Sequence, residues 1–279
     1  MLKRVARALV PVVLRRFLQR RKLARVIASH PRRVVEHRYG EVTLRVDLVD
    51  PMAAGWYDSD WPPLVEIGVL GRHQLRSGAR VFDLGAHQGV VGLMLAHRVG
   101  PTGQVVLVEP NPHNVGACRR NVELNRMPWV TTHQAAVAER EGTITFDRGL
   151  DGQAGELSDY CGLMRVPAVT IDTLTAVYGP PDVVFIDVEG FECRALAGAG
   201  RTFAAHPDWF VEVHVGCGLE AAGGSAEQVL EYFPGTLFAR YVHEEGDPEP
   251  TPLEAAPPEK LRRRFFLTAV VLNRPKGCA

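Results

Sequence analysis

Two segments late in the chain carry the groups best suited to chemistry. Val183-Val184-Phe185-Ile186-Asp187-Val188-Glu189-Gly190 sets an acid after four apolar residues, and Phe210-Val211-Glu212-Val213-His214 interleaves an acid and a histidine with valine. Successive side chains of a strand point to opposite faces, so Asp187 and Glu189 share one face and Val188 takes the other. By the same parity Glu212 and His214 face together, away from Val211, Val213 and Val215. Asp187 should then end a central strand, where the ligands of open α/β sheets bind. Acids and an imidazole on one crevice can hold and deprotonate a hydroxyl. They can also hold Mg²⁺ or Mn²⁺, but no compact metal motif supports that use, and no metal is expected. Mutual satisfaction within the fold is the third reading. Glu192 reads as the first-turn acid of the next helix, where the macrodipole favours a negative charge.

An earlier segment is built to hold a ligand. Arg80-Val81-Phe82 reads as the start of a buried strand, Asp83-Leu84-Gly85-Ala86-His87-Gln88-Gly89 as a glycine turn, and Val90 to Ala96 as an apolar helix. Glycine is needed where backbone must approach a ligand closely, here at Gly85 and Gly89. A second apolar strand, Gln104 to Val108, ends in Glu109, about 20 residues past the loop, where an acid can bind the two hydroxyls of a ribose. The loop is not G-x-G-x-x-G. Asp83, two positions before the first glycine, suits a ligand with a cationic amino-acid end better than a pyrophosphate. Asn111, between Pro110 and Pro112, reads equally as a second ribose ligand and as a turn residue.

Taken in order, these motifs resemble the FkbM family of S-adenosylmethionine-dependent methyltransferases. The family pattern runs D-x-G-A-x-x-G, E-P-N-P (Glu109-Pro110-Asn111-Pro112), a threonine-aspartate-leucine segment (Thr170-Ile171-Asp172-Thr173-Leu174), I-D-x-E-G and E-V-H, and it spans residues 61 to 216 here. Two departures stand out: Phe185 replaces a lysine common before I-D-x-E-G, and Gln88 and Val90 replace apolar or aromatic loop residues. The resemblance implies transfer of the methyl group of S-adenosyl-L-methionine to a hydroxyl of a natural product, sugar or other small molecule. Asp83 would then accept from the methionyl ammonium, or bond loop amides, or both. His87 would lie near the sulfonium or carboxylate end and Glu109 on the ribose; Gln134 reads equally as a ligand of the adenine edge, with Ala135 and Ala136 admitting the ring, and as an ordinary polar residue at a strand end. His214 is the first choice for the base, Asp187 the second, with Glu212 flanking the imidazole. A nicotinamide oxidoreductase would use the same sheet and Glu109 but wants the missing glycine pattern. A non-catalytic membrane-surface protein with a degenerate fold is the other alternative.

The elements that must position these groups alternate. Strands are expected near 80–84, 105–109, 132–137, 183–187, 209–214, 236–241 and 265–272, with an inserted pair at 144–146 and 166–169. The fold class is therefore α/β: a Rossmann-like class I methyltransferase with a seven-stranded, mostly parallel sheet, helices on both faces, and an N-terminal helical and hairpin extension. We divide the chain into a basic segment (1–33), a hairpin and aromatic loop (34–63) and a methyltransferase domain (64–275). Val34 to Leu48 alternates around Tyr39-Gly40-Glu41 as a hairpin. Asp50 to Pro63 reads as a loop whose Trp56, Tyr57 and Trp61 could wall the acceptor pocket. Leu64 to Leu75 reads as a helix, and Gly246 to Pro258 as a solvated loop.

Composition limits the partners. Lysine plus arginine equals aspartate plus glutamate at 32 each, so no nucleic-acid partner is expected. The balance hides a basic start: Met1 to Val35 holds 11 cationic residues and no acid. Apolar residues interleave with these cations at helical spacing, interrupted by Pro11, which leaves peripheral contact with an anionic membrane open beside docking on the protein itself. No apolar run reaches the ~18–20 residues that cross a bilayer, and no secretory signal is evident. Cys118, Cys161, Cys193, Cys217 and Cys278 are odd in number and lack a C-x-x-C pair, which fits a reducing, cytoplasmic setting. The basic segment should be dispensable, so that a chain beginning at Arg33 folds and binds cofactor.

Overall fold

The apolar runs around the motifs become the strands of one large sheet. In the computed structural model residues 12–147 and 163–272 are described. Residues 1–11, which carry the start of the basic segment, and Cys161 and Cys278 lie outside the described residues. Helix α1 (Val12–Ser29) leads to an antiparallel hairpin of β1 (Arg33–Tyr39) and β2 (Val42–Leu48), which turns at Gly40 with φ +61°. Two short helices follow, α2 (Pro51–Tyr57) and α3 (Val65–Leu70). Then strands and helices alternate: β3 (Arg80–Leu84), α4 (Val90–Val99), β4 (Gln104–Val108), α5 (Pro112–Asn125) and β5 (Val130–His133). A separate three-stranded sheet comprises β6 (Ala136–Val137), β7 (Gly142–Asp147) and β8 (Leu163–Val169). The chain returns through α6 (Ile171–Tyr178), β9 (Val183–Ile186), α7 (Glu192–Ala197), β10 (Asp208–Val213) and α8 (Ala226–Glu231). It closes with β11 (Phe238–His243), β12 (Thr251–Pro252) and β13 (Phe265–Val271).

The main sheet has the order β12-β11-β13-β10-β9-β3-β4-β5. From β10 to β5 all neighbours are parallel, while β13 runs antiparallel to both β10 and β11. This is the Rossmann-like α/β class expected. Parallel strands covered on both faces must be apolar at nearly every position, and these are. Val81, Val105, Leu107, Phe185 and Phe210 meet the hairpin and α4, whereas Phe82, Val106, Ile186, Trp209 and Val211 pack in a second core on the opposite face. The chain moves outward from β3 to β5, then crosses back to set β9 on the other side of β3. The border of β3 and β9 is thus the topological switch point, where open α/β sheets bind ligands. Gly85 and Asp187 follow those two strands at once.

Several local expectations change. The stretch after Asp50 is not all loop: Pro51 starts α2, and the Asp50 carboxylate caps it by accepting from the Ala53 amide at 2.8 Å. A cap and a proline at the first helical position outweigh Gly55 and the crowded aromatics. The helix expected over 64–75 ends at Leu70, where Gly71 and the turn after it take over. The third strand, expected over 132–137, is two: β5 stops at His133, and Ala136 and Val137 leave the main sheet to pair with β8. The loop over 246–258 contains the two-residue edge strand β12.

Candidate functional site

The glycine loop owes its shape to neighbours as much as to any ligand. Gly85 has φ +91°, and a Cβ there would stand 1.7 Å from the carbonyl oxygen of Asp187. Gly89, at φ +83°, precedes α4, and the loop is pinned to β4 because the Gly85 and Ala86 amides donate to Val108 O at 2.8 and 3.1 Å. Gly92 is a third requirement that sequence reading passed over: a Cβ there would meet Leu107 Cδ2 at 2.1 Å and Asp83 Oδ2 at 2.6 Å. Its only sequence signal is a glycine inside an otherwise apolar helix.

Of the two acids here, Glu109 rather than Asp83 bonds the loop amides. Asp83 is buried, and its Oδ2 has no hydrogen-bond partner, so it does not bond the loop amides through that atom. Glu109 performs that task. Its carboxylate accepts from the His87 amide at 3.0 Å, the Asn111 amide at 2.8 Å and Asn114 Nδ2 at 3.4 Å. Burial pushes the Asp83 carboxyl up to about 8, aided by the charge of Asp187. Burial also pushes Glu109 up to about 8, against the pull of those three donors. Both groups would ionise more readily beside a cationic or hydroxyl-bearing ligand. Asn111 caps α5, its side chain accepting from the His113 amide at 3.0 Å.

The aromatic helix α2 is latched to this loop. Gln88, fully buried, donates to Asp50 Oδ2 at 2.7 Å, and His113 Nε2 lies 2.8 Å from the same oxygen. The Tyr57 hydroxyl lies 2.8 Å from His87 Nδ1, and the Trp56 and His87 rings are 5.0 Å apart. The departure at Gln88 therefore has a structural reason: it carries the latch. Trp61 packs instead on Tyr39 and Tyr57.

A cleft opens over the switch point. His87 and Glu109 line one end, Pro110, Ala135, Ala136, Val137 and Ile144 an apolar stretch, and Asp187, Val188, Glu189 and Phe191 the other end, with Gly85 between them against the Asp187 carbonyl and Trp56 beside His87. Gln134 is exposed and does not line it.

Behind Asp187 stands His214, 3% exposed at its side chain. Its Nδ1 donates to Glu192 Oε1 at 2.7 Å, and that oxygen also accepts from the Gly190 amide at 2.8 Å. Its Nε2 faces Glu189 Oε2 and Glu212 Oε1 at 3.4 Å each and Asp187 Oδ1 at 3.7 Å. Asp187, Glu189, Glu212 and His214 do come together, but not by strand parity alone. Strand β9 stops at Ile186, and Glu189 reaches the cluster through a left-handed turn at φ +51°. Glu192 is the residue that sequence reading left as a helix start. It is that, and also a fully buried partner of the histidine; its position two residues past Gly190 was the available signal. Arg264 adds a cation that no motif announced, with Nη1 3.2 Å from Glu212 Oε1. Burial would lower the His214 pKa, but the hydrogen bond and charge of Glu192, with Asp187 and Glu189, outweigh it and raise it to about 10. The imidazole is protonated at neutral pH in this state and does not line the cleft. Burial, with the charge of Asp187, pushes Glu212 up to about 8 against His214 and Arg264.

The family model described as the methyltransferase FkbM domain matches residues 83–234, from the loop acid through the histidine cluster. Comparison with curated protein sequences gives no match. Similar solved structures include a methyltransferase FkbM from Methylobacillus flagellatus KT, 18% identical, with a TM-score of 0.45, covering 68% of this chain and 43% of that one. An S-adenosylmethionine-dependent O-methyltransferase from Thermotoga maritima is 13% identical with a TM-score of 0.44, covering 91% and 83%. A fibrillarin from Aeropyrum pernix with natively bound S-adenosyl-L-methionine is 13% identical with a TM-score of 0.42, covering 88% and 86%. Among the described residues no helix is long and apolar enough to cross a membrane.

Proposed function

This chain belongs to the FkbM family of methyltransferases, and from that premise we propose that it methylates a hydroxyl oxygen of a small molecule held in the cleft between Glu109 and Asp187. The observation that carries the reading is that Glu109 and two acids of the histidine cluster, Asp187 and Glu189, line the same cleft. The residues fit S-adenosyl-L-methionine. Asp83 keeps a buried carboxyl with an unpartnered oxygen behind the cleft lining, where its charge would favour an ammonium group bound at the loop, Glu109 offers its carboxylate to the ribose, and the small Ala135 and Ala136 offer an apolar wall to the base. When bound, S-adenosyl-L-methionine supplies a methyl carbon activated by a sulfonium, so that the C–S bond breaks toward sulfur as the C–O bond forms.

The chain's own part is alignment and proton management. Holding an acceptor in near-attack geometry can supply roughly 7–11 kcal/mol. Asp187 is the better placed of the two candidate bases, because it lines the cleft while His214 stays behind it. In this reading Asp187 takes the proton that leaves the acceptor oxygen, a contribution of about 10²–10⁴-fold. His214, anchored by Glu192, orients Asp187 and balances its charge.

Calorimetry on the full chain tests the cofactor half: S-adenosylhomocysteine should bind and NADH should not. Labelled methyl transfer to cell extract, with products sorted by alkali lability and mass, tests the acceptor half. Label appearing only on nitrogen or carbon would overturn O-methylation while leaving the methyltransferase in place.

A further inference from the structure

We propose that Asp187, Glu212 and His214 form a binding site for one divalent cation of the Mg²⁺ or Mn²⁺ type, set in the wall of the cleft where the acceptor oxygen would lie. The three residues each offer one ligand atom, and those atoms all lie within 4.8 Å of one another. Oxygen ligands sit about 2.0–2.1 Å from Mg²⁺, so opposite ligands of one ion stand roughly 4 Å apart and adjacent ones nearer 3 Å. The distances of 3.4 and 3.7 Å from His214 Nε2 to Glu212 and Asp187 fall in that range.

Three further observations separate this cluster from an ordinary group of surface acids. First, its histidine is buried, with a side-chain exposure of 3%. Its Nε2 points at three carboxylate oxygens and makes a hydrogen bond to none of them, whereas Nδ1 makes a short one of 2.7 Å to Glu192. A carboxylate on the far ring nitrogen is the arrangement that fixes the tautomer and raises the basicity of a metal-ligating histidine. Second, Asp187 Oδ1, the oxygen that faces Nε2, has no hydrogen-bond partner among the described residues, while the side chain as a whole is 39% exposed and lines the cleft. A carboxylate oxygen in that condition is relieved by a cation. Third, among the described residues Asp187, Glu189, Glu192 and Glu212 surround one imidazole, and the basic side chain on the cluster, Arg264, is 40% exposed and shared with Glu245. A mixed carboxylate and imidazole set suits Mn²⁺ at least as well as Mg²⁺.

Binding is an exchange: the ion enters, and the protons carried by His214 and Glu212 leave to solvent. The role of the ion, though not its binding, rests on the methyltransferase reading. Asp187 lines the cleft, so an ion on it could take the acceptor hydroxyl as a further ligand and make its proton more acidic. The second oxygen of Asp187 remains available to receive that proton. The acceptor class favoured is a hydroxyl compound with a neighbouring oxygen that can share the ion.

The test is titration of the full chain with Mn²⁺ alone, followed by electron paramagnetic resonance of free ion and by calorimetry. One equivalent should bind saturably. Asp187→Asn and Glu212→Gln should each weaken it at least tenfold, and S-adenosylhomocysteine affinity should stay within a few-fold in both. Glu212→Gln is nearly isosteric, and its thermal midpoint, measured alongside, shows whether the fold is kept; should either variant unfold, Glu189→Gln, at the rim, should weaken Mn²⁺ two- to tenfold. Absence of saturable Mn²⁺ binding, or binding unchanged in the folded variants, overturns the cation site. Failure of the wild-type chain to bind S-adenosylhomocysteine would instead overturn the methyltransferase reading, with the Mn²⁺ titration read independently.

Discussion

The two ends of the cleft are built on opposite plans. The end we assign to the cofactor is local: Asp83 to Gly92 and Glu109 to Asn114 supply its loop and acids, the Glu109 carboxylate accepts from two backbone amides, and Gln88, His87 and His113 add side-chain contacts to the segment of Asp50 and α2. The end we assign to the acceptor is assembled from Asp187, Glu192, Glu212, His214 and Arg264, which come from segments distant in sequence, and most of its contacts are side chain to side chain. Backbone scaffolding tolerates changes in surrounding side chains but not in the few residues that set its path. A side-chain cluster behaves the other way, since each member depends on the charge state of the rest.

The sharpest way to break the cofactor end is therefore Gly85→Ala. The added methyl would overlap the Asp187 carbonyl, a backbone atom that cannot swing aside, at a φ that alanine disfavours. We expect a loss above about 4 kcal/mol, seen as a collapsed thermal midpoint and no binding of S-adenosylhomocysteine. A folded, binding variant would show that the two strand ends are looser than described.

Acidity separates the two ends further. The carboxyls of Asp83 and Glu109 both move up to about 8 from ordinary values of 3.8 and 4.5. A carboxyl that stays protonated in the fold while the unfolded chain ionises contributes stability that is complete below pH ~4 and is lost as pH rises through about 8. The ligand-free protein should lose several kcal/mol over that window, and Asp83→Asn should flatten the thermal midpoint against pH. Binding of S-adenosylhomocysteine at pH 7 should release protons, measured by calorimetry in buffers of different ionisation heat. A midpoint independent of pH between 4 and 8 in the wild type would show that neither carboxyl is so buried.

At the acceptor end, Glu192→Ala removes the fully buried anchor of His214. Breaking a buried pair from one side costs about 3 kcal/mol or more because the partner is left uncompensated, so the thermal midpoint should fall markedly. Glu192→Gln should restore most of the stability but not the turnover, which marks Glu192 as a positioning residue. Equal stability of the alanine variant would mean that His214 finds its support elsewhere. Glu109→Ala should be milder. It loses charge-assisted hydrogen bonds to the ligand and to two loop amides, and S-adenosylhomocysteine should weaken by about 1–3 kcal/mol in calorimetry; unchanged affinity would remove Glu109 from the ribose.

The same contrast explains what could be read in the sequence. The cofactor end was legible because its determinants lie within a short stretch and follow from strand, turn and helix chemistry. Glu212 and His214 were legible by alternation along one segment, and Asp187 as the acid that ends a neighbouring apolar run. Glu192, Arg264 and the latch of Gln88 on Asp50 were not, since each acts through a contact between segments distant in sequence. Helix α2 was missed for a local reason: a cap and a proline start were masked by a crowded aromatic and acidic stretch.

The smallest expected effect lies farthest from either end. Helix α1 presents mostly exposed side chains over residues 21–29, and the segment is tied to the body where Arg32 Nε donates to both oxygens of the buried Asp47 at 2.9 Å. The cut suggested by the sequence, just before Arg33, would remove that arginine and leave Asp47 with only Arg120, whose Nε is 3.9 Å away. A chain beginning at Pro31 keeps the pair. We expect it to bind S-adenosylhomocysteine within two-fold of the full chain and to match its stability to about 0.5 kcal/mol, the scale of changes away from structural features. A chain beginning at Arg33 should be about 1 kcal/mol less stable, since Arg32 is 59% exposed and its pair is screened by solvent. The comparison of the two truncated chains by urea titration isolates Arg32 from the helix before it. Identical midpoints would mean that Asp47 is satisfied by the hairpin and α5 alone, and a large loss in both would mean that α1 covers part of the core.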